Sequence, residues 1–124
     1  MDDYAAFANM LCAGGEYKGK RILSSEAVGK MRAPHYKVGF AGISHTFNWG
    51  YTVHVRSVRL PGEQELTDGS YGWSGAYNTH FWVDPKNKLT AVFMSNMNNA
   101  GGSGAVTARE FEYNVMRALE KTSE

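Results

Sequence analysis

The chain has 124 residues, enough for one domain with a modest core. Hydrophobic residues make up 43% and charged residues 20%, an ordinary globular composition. The formal net charge of +1 supplies no basic field for nucleic acid or an anionic membrane surface, and no apolar stretch is long enough to span a bilayer. The start, Met1-Asp2-Asp3-Tyr4, has neither the basic nor the apolar region of a signal peptide.

Asp2 or Asp3 is expected to cap a first helix, with Tyr4, Phe7, Ala8 and Leu11 on one face at i, i+3, i+4, i+7 spacing. Gly14-Gly15 ends it. Cys12, the single cysteine, falls in this apolar pattern and is assigned to packing. Gly19 to Leu23 reads as a short extended link. Ser24 or Ser25 caps a second helix through Met31, and Pro34 terminates it.

Tyr36 to Asn48 shows no clean period and reads as loop. Trp49 to Arg56 alternates as one strand: Trp49, Tyr51, Val53 and Val55 form the apolar face, and Gly50, Thr52, His54 and Arg56 the wet one. Leu60-Pro61-Gly62-Glu63 and Thr67-Asp68-Gly69 carry turn chemistry.

Tyr71 to Gly75 reads as a strand. Ala76-Tyr77-Asn78 is a tight connection in which Asn78 tolerates positive φ, and Thr79 to Val83 is the next strand. Asp84-Pro85-Lys86-Asn87 fits a hairpin turn with Asn87 available for a left-handed position. Leu89 to Ser95 is apolar on both faces, which predicts a central strand covered on both sides. Asn98 to Gly104 is a loop. Thr107 and Glu110 suggest a capping box for a last helix with the stripe Ala108, Phe111, Val115, Ala118 and Leu119. The sum is an α+β domain: an antiparallel sheet of about four strands flanked by helices.

Trp73-Ser74-Gly75-Ala76 holds the chemistry. Small residues let a backbone approach a ligand, and an exposed strand N–H can face a developing oxyanion. Gly72-x-Ser74 also suggests a nucleophile elbow, but an elbow needs strand, serine, then helix, and strand signals flank Ser74 on both sides. No acid and histidine can be assigned to it in order, so Ser74 is set aside as a nucleophile. The histidines His35, His45, His54 and His80 show no metal-ligand spacing. His54 is expected in solvent; His80, a few residues after the motif, is close enough to approach a cleft, with a surface or packing role the preferred reading. Phe81 and Trp82 read as core, Tyr77 as a cleft residue at the tip of the connection. Met10, Met31, Met94, Met97 and Met116 read as core filler.

Four stretches in this order resemble the C-terminal part of the serine β-lactamase and penicillin-binding-protein superfamily, nearest its class C β-lactamase, carboxylesterase and D-aminopeptidase branch. They are Asp3 to Leu11 with Gly15 to Ser24; Trp49-Gly50-Tyr51; Trp73 to Thr79 with Phe81 to Pro85; and Leu89 to Asn96 with the last helix. The resemblance implies that residues 1–124 form one domain, the C-terminal portion of a larger one. The family's third active-site motif, Lys-Thr-Gly with His-Gly-Gly and Trp-Gly-Gly versions, falls on Trp73, Ser74 and Gly75. The resemblance makes the Ala76 N–H an oxyanion donor, and Trp73, Ser74, Gly75 and Tyr77 substrate-binding.

Trp73 departs from the lysine version: an indole offers one N–H and no charge, which disfavours carboxylate-bearing substrates and favours a neutral ester or amide. The family's Ser-x-x-Lys and Tyr-x-Asn motifs are absent, and no serine here has lysine three residues on. The expectation is therefore an inactive segment of an acyl-enzyme hydrolase of esters, amides or β-lactams. Its partners would be a small acyl substrate in the intact enzyme and a preceding segment, or a second copy, covering an exposed sheet edge. No cofactor or metal is implied. The resemblance leaves the compartment open among periplasmic, secreted and cytoplasmic. The opposing reading is a non-enzymatic module that binds through that edge.

Overall fold

The computed structural model describes residues 1–37, 47–56, 66–99, 101–102 and 105–121. Helix α1 spans Asp2–Cys12. Its N-cap is Met1 with no side-chain cap, so Asp2 and Asp3 act in the first turn, where their charge favours the helix N-terminus. Ala8, Met10 and Leu11 are buried, while Tyr4 and Phe7 lie at the rim and pack edge-on or tilted against Phe81. Gly14 and Gly15 take φ of 65° and 101° and end the helix, with the Gly15 N–H bonded to the Met10 carbonyl.

The expected link at residues 19–23 is in part a small hairpin. Strands β1 (Glu16–Tyr17) and β2 (Lys20–Arg21) pair through a turn in which Lys18 and Gly19 both have positive φ. Helix α2 covers Ser25–Arg32, and Ser24 Oγ accepts from the Ala27 N–H at 3.0 Å.

The described strands β3 (Tyr36–Lys37), β4 (Phe47–Trp49), β5 (His54–Arg56), β6 (Tyr71–Gly75), β7 (Thr79–Asp84) and β8 (Leu89–Phe93) form one antiparallel sheet in chain order. Helix α3 follows at Val106–Lys121. The α+β class stands as expected, with six described strands in the sheet in place of about four and with differences in where the strands lie. Tyr36–Lys37 and Phe47–Asn48 are strand rather than loop. Trp49 to Arg56 is not one strand: β4 and β5 form a hairpin, pairing Trp49 with His54. The reason is local. Thr52 has φ of 62°, the Gly50 N–H bonds the Val53 carbonyl, and a Cβ on Gly50 would lie 2.0 Å from the Met31 carbonyl oxygen.

That hairpin takes His54 and Arg56 of the supposed wet face inward and leaves Thr52 exposed, along with Tyr51 of the supposed apolar face. His54 is half-buried between Trp49 and Trp73, and Arg56 is buried beneath the turn Thr67–Ser70, whose Gly69 N–H bonds the Arg56 carbonyl. The turn at residues 67–69 forms as read, with Gly69 at φ 86°. The turn at residues 60–63, His45 and most of the loop after Lys37 lie outside the described residues.

Strand β8 ends the described sheet instead of lying at its centre. Its apolar residues are used all the same, since α1 packs on one face and α3 on the other. The turn before it holds Asp84 Oδ1 as acceptor for the Lys86 and Asn87 N–H groups, and Lys88, not Asn87, takes the left-handed position at φ 52°. The capping box is not formed. Thr107 lies inside α3 and its hydroxyl donates to Asn78 Oδ1, tying the helix to the β6–β7 connection.

Two apolar clusters result. Between α1 and the sheet lie Leu11, Val28, Val53, Val55, Tyr71, Phe81 and Val83, with Cys12, Met31 and Trp73 packed against them. Between α3 and the sheet lie Leu66, Trp82 and Ala91, with Phe111, Val115 and Met116. Cys12 thus packs as read, and burial followed by the Asp84 charge pushes its thiol up. Met97 is exposed and fills no core.

Candidate active-site wall

Strands β6 and β7 pair as Tyr71↔Val83, Gly72↔Trp82, Trp73↔Phe81, Ser74↔His80 and Gly75↔Thr79. Alternation then divides their side chains. Tyr71, Trp73, Thr79, Phe81 and Val83 face α1; Ser74, His80 and Trp82 face α3. The Gly75–Asn78 turn closes with the Asn78 N–H on the Gly75 carbonyl, and Asn78 takes φ of 61° as read. A Cβ on Gly75 would lie 2.3 Å from Thr79 Oγ1, so any larger residue there would have to displace that hydroxyl.

The neighbouring ladder stops short of this turn. Strand β5 pairs only His54 with Gly72 and Val55 with Tyr71. The Ser70 carbonyl accepts from the Arg56 N–H, so Ser70, Gly72 and Ser74 turn their backbone groups toward the β5 side. Beyond Gly72 no described strand continues that ladder. The stretch Ser74 to Ala76 therefore forms a short strand edge past the end of β5, on which an extended acyl group can lie.

On the α1 face a cavity of about 150 Å³ adjoins this edge. Tyr4, Trp73, Thr79, Phe81 and Met94 line it, and none of its lining residues is lysine, arginine, aspartate or glutamate. Trp73 packs at a tilt against Trp49, with ring centroids 4.4 Å apart, and meets His54 edge-on at 5.5 Å. Burial pushes the His54 imidazole down, toward its neutral form. Among the described residues the wall beside Trp73 is thus aromatic, without lysine, arginine, aspartate or glutamate.

On the opposite face Ser74 Oγ lies 2.7 Å from His80 Nδ1, and His80 Nε2 lies 2.7 Å from Glu112 Oε1 on α3. His80 and Glu112 are nearly closed off, at 9% and 12% side-chain exposure. The connectivity is that of a nucleophile, base and orienting acid; Ser74 and His80 both border the cavity that Trp73 lines, while strand alternation sets their side chains on the α3 face.

Of the residues singled out in the sequence, Trp73, Ser74 and Gly75 border the cavity, the Ser74 side chain lying on the α3 face. Ala76 and Tyr77 are exposed on the turn and do not line it. His80 packs in a polar chain with Ser74 and also borders the cavity, so it approaches the cleft as well. That pairing was legible as arithmetic, since a three-residue connection at 76–78 sets Ser74 opposite His80. Glu112, far along the chain on a helix, left no such signal. Among the described residues no group of three or more His, Cys, Asp or Glu side chains is placed to hold a metal, and no helix is long and apolar enough to cross a membrane.

The beta-lactamase family model matches residues 1–111. Two Mycobacterium tuberculosis proteins, "Uncharacterized protein MT1414" (strain CDC 1551 / Oshkosh) and "Protein Rv1367c" (strain ATCC 25618 / H37Rv), are each 28% identical over 103 residues, covering 75% of this chain and 26% of their own length. The chain thus spans about a quarter of these curated relatives. A solved structure named "Putative 6-aminohexanoate-dimer hydrolase from Bacillus anthracis" superposes with a TM-score of 0.66 at 24% identity, covering 97% of this chain and 29% of that one, and shares the fold. With the family model matched over most of its length, the chain belongs to the beta-lactamase family.

Proposed function

We propose that this chain is the C-terminal part of a β-lactamase-like serine hydrolase and supplies its oxyanion strand and one wall of its cleft. The observation that carries the reading is the Ser74–Ala76 edge left open beyond β5 among the described residues, beside an aromatic cavity. The family match and a structural neighbour named as a hydrolase support it.

In the intact enzyme a serine in a Ser-x-x-Lys segment attacks the acyl carbonyl, and water then hydrolyses the acyl-enzyme. The Ala76 N–H donates to the oxyanion, and such a donor is worth about 10²–10³ in kcat. Gly75 permits close backbone approach, and Trp73 and Tyr77 flank the acyl group. Among the described residues this wall carries no lysine or arginine, which disfavours a substrate carboxylate and favours a neutral ester or amide. Lacking the serine–lysine pair, the 124 residues alone do not turn substrate over. The outer edge of β8, unpaired among the described residues, receives the preceding segment of the same protein, because an apolar strand covered on both faces invites a further strand there.

Ala76→Pro tests the donor directly. Ala76 is the second residue of the Gly75–Asn78 turn, where proline is well accommodated, and proline removes the N–H. In the chain rejoined to a Ser-x-x-Lys segment, Ala76→Pro is expected to lower kcat for a chromogenic ester about 10²–10³-fold. Unchanged turnover would refute the donor role. Failure of any rejoined protein to react would favour the binding-module reading.

A further inference from the structure

We infer that Glu112 and His80 are positioning residues: through Ser74 they hold the oxyanion strand in place from behind. The inference rests on the proposed role of that strand. Past Gly72 the strand has lost its ladder on the β5 side. Its position there depends on β7, on the Gly102 N–H bonded to the Gly75 carbonyl at 2.9 Å, and on the polar chain from α3. That chain is anchored at both ends. Glu112 belongs to a helix packed through Phe111 on Trp82, and Ser74 sits in the strand two residues before Ala76.

The chemistry fixes its direction. An ionised Glu112 can only accept, so His80 Nε2 carries the ring proton. In the neutral imidazole Nδ1 is then bare and accepts from the Ser74 hydroxyl. The Ser74 proton is committed to His80 and its side chain to the α3 face. Ser74 thus acts as an anchor, and the substrate meets this strand through its backbone and through Trp73. His80 and Glu112 are largely shielded from solvent and bonded to each other, which makes the chain a stiffer link than a loose surface contact.

Two measurements on the 124-residue chain test this. Imidazole nitrogen-15 NMR at pH 8 is expected to show His80 as the Nε2–H tautomer; a proton on Nδ1 would overturn the assignment. Amide hydrogen exchange reads the positioning itself. Ser74→Ala is expected to speed exchange at Gly75 and Gly102 about 5-fold, the loss of one hydrogen bond of about 1 kcal/mol. Glu112→Gln, which keeps an acceptor but not the charge, should give a smaller rise at the same amides. Ser74→Thr, which keeps the hydroxyl, should stay within about 2-fold of the parent. Leu11 and Val83, in the α1-side core, serve as references and should not change in any variant. Equal acceleration at the references would mean global destabilisation and overturn the inference, as would no change at Gly75 and Gly102. These readouts are separable from the reading on which they rest. If Ala76→Pro left turnover intact while the exchange pattern held, the strand would be anchored but not catalytic.

Discussion

The two faces of the β6–β7 hairpin are built on opposite principles. Toward α1, Trp73, Phe81, Tyr71 and Val83 form a dry surface that meets Leu11, Trp49 and a half-buried His54. Toward α3, apolar Trp82 shares the face with a hydrogen-bonded run of serine, histidine and glutamate. The contrast teaches how one strand serves two purposes. The dry face borders an aromatic cavity, while the polar face links the strand to α3 through Ser74, His80 and Glu112.

The largest effect expected from breaking this arrangement is at Trp82, fully buried between the sheet and Phe111. Trp82→Ala should cost about 3–5 kcal/mol in urea unfolding, or prevent folding outright. His80→Ala comes next. It leaves Ser74 Oγ and the Glu112 carboxylate without their imidazole partner, and the expected cost is about 1–3 kcal/mol by the same measurement. A value near zero would reduce the polar face to a surface ornament.

The dry face makes a prediction in pH. The Tyr71 hydroxyl donates to the Leu11 carbonyl at 3.1 Å, and burial pushes its pKa up to about 12, with nearby Arg32 acting in the other direction. In the unfolded chain it titrates near about 10. Between the two, the unfolded state has released a proton that the fold retains, so unfolding gains and stability falls with rising pH. The contribution is whole below pH 10, and on the order of 2 kcal/mol is lost as pH rises to 12. Tyr71→Phe should flatten that segment of the stability–pH curve. The smallest effect is expected at Tyr77, which is 59% exposed on the turn: Tyr77→Ala should change stability by less than about 0.5 kcal/mol, so that any change in ester KM of the rejoined enzyme reports substrate contact.

How far the sequence carried depended on whether a signal was local. The Tyr4–Leu11 stripe closed by two glycines, Ser24 as a cap, and the 76–78 connection with left-handed Asn78 were all legible from neighbouring residues. Trp49–Arg56 misled because a perfect alternation was interrupted by Thr52, a β-branched residue in a left-handed conformation that its sequence does not announce. Leu89–Phe93 looked central because apolar residues on both faces report two covering layers and say nothing about the edges. Thr107 had the spacing of a cap, yet its hydroxyl serves Asn78 of the hairpin, a tertiary contact that outweighs the local motif. The site divides the same way. Trp73, Ser74 and Gly75 were found as a motif, whereas Glu112 enters only once α3 is laid against the sheet.

The central claim is that Ser74 belongs to the wall and not to the attack. The most direct measurement is intact-mass analysis of the 124-residue chain after incubation with a fluorophosphonate probe. With the Ser74 hydroxyl bound to His80 on the α3 face, no adduct is expected. Stoichiometric labelling that Ser74→Ala abolishes would contradict the account and make Ser74, His80 and Glu112 a nucleophilic relay in their own right.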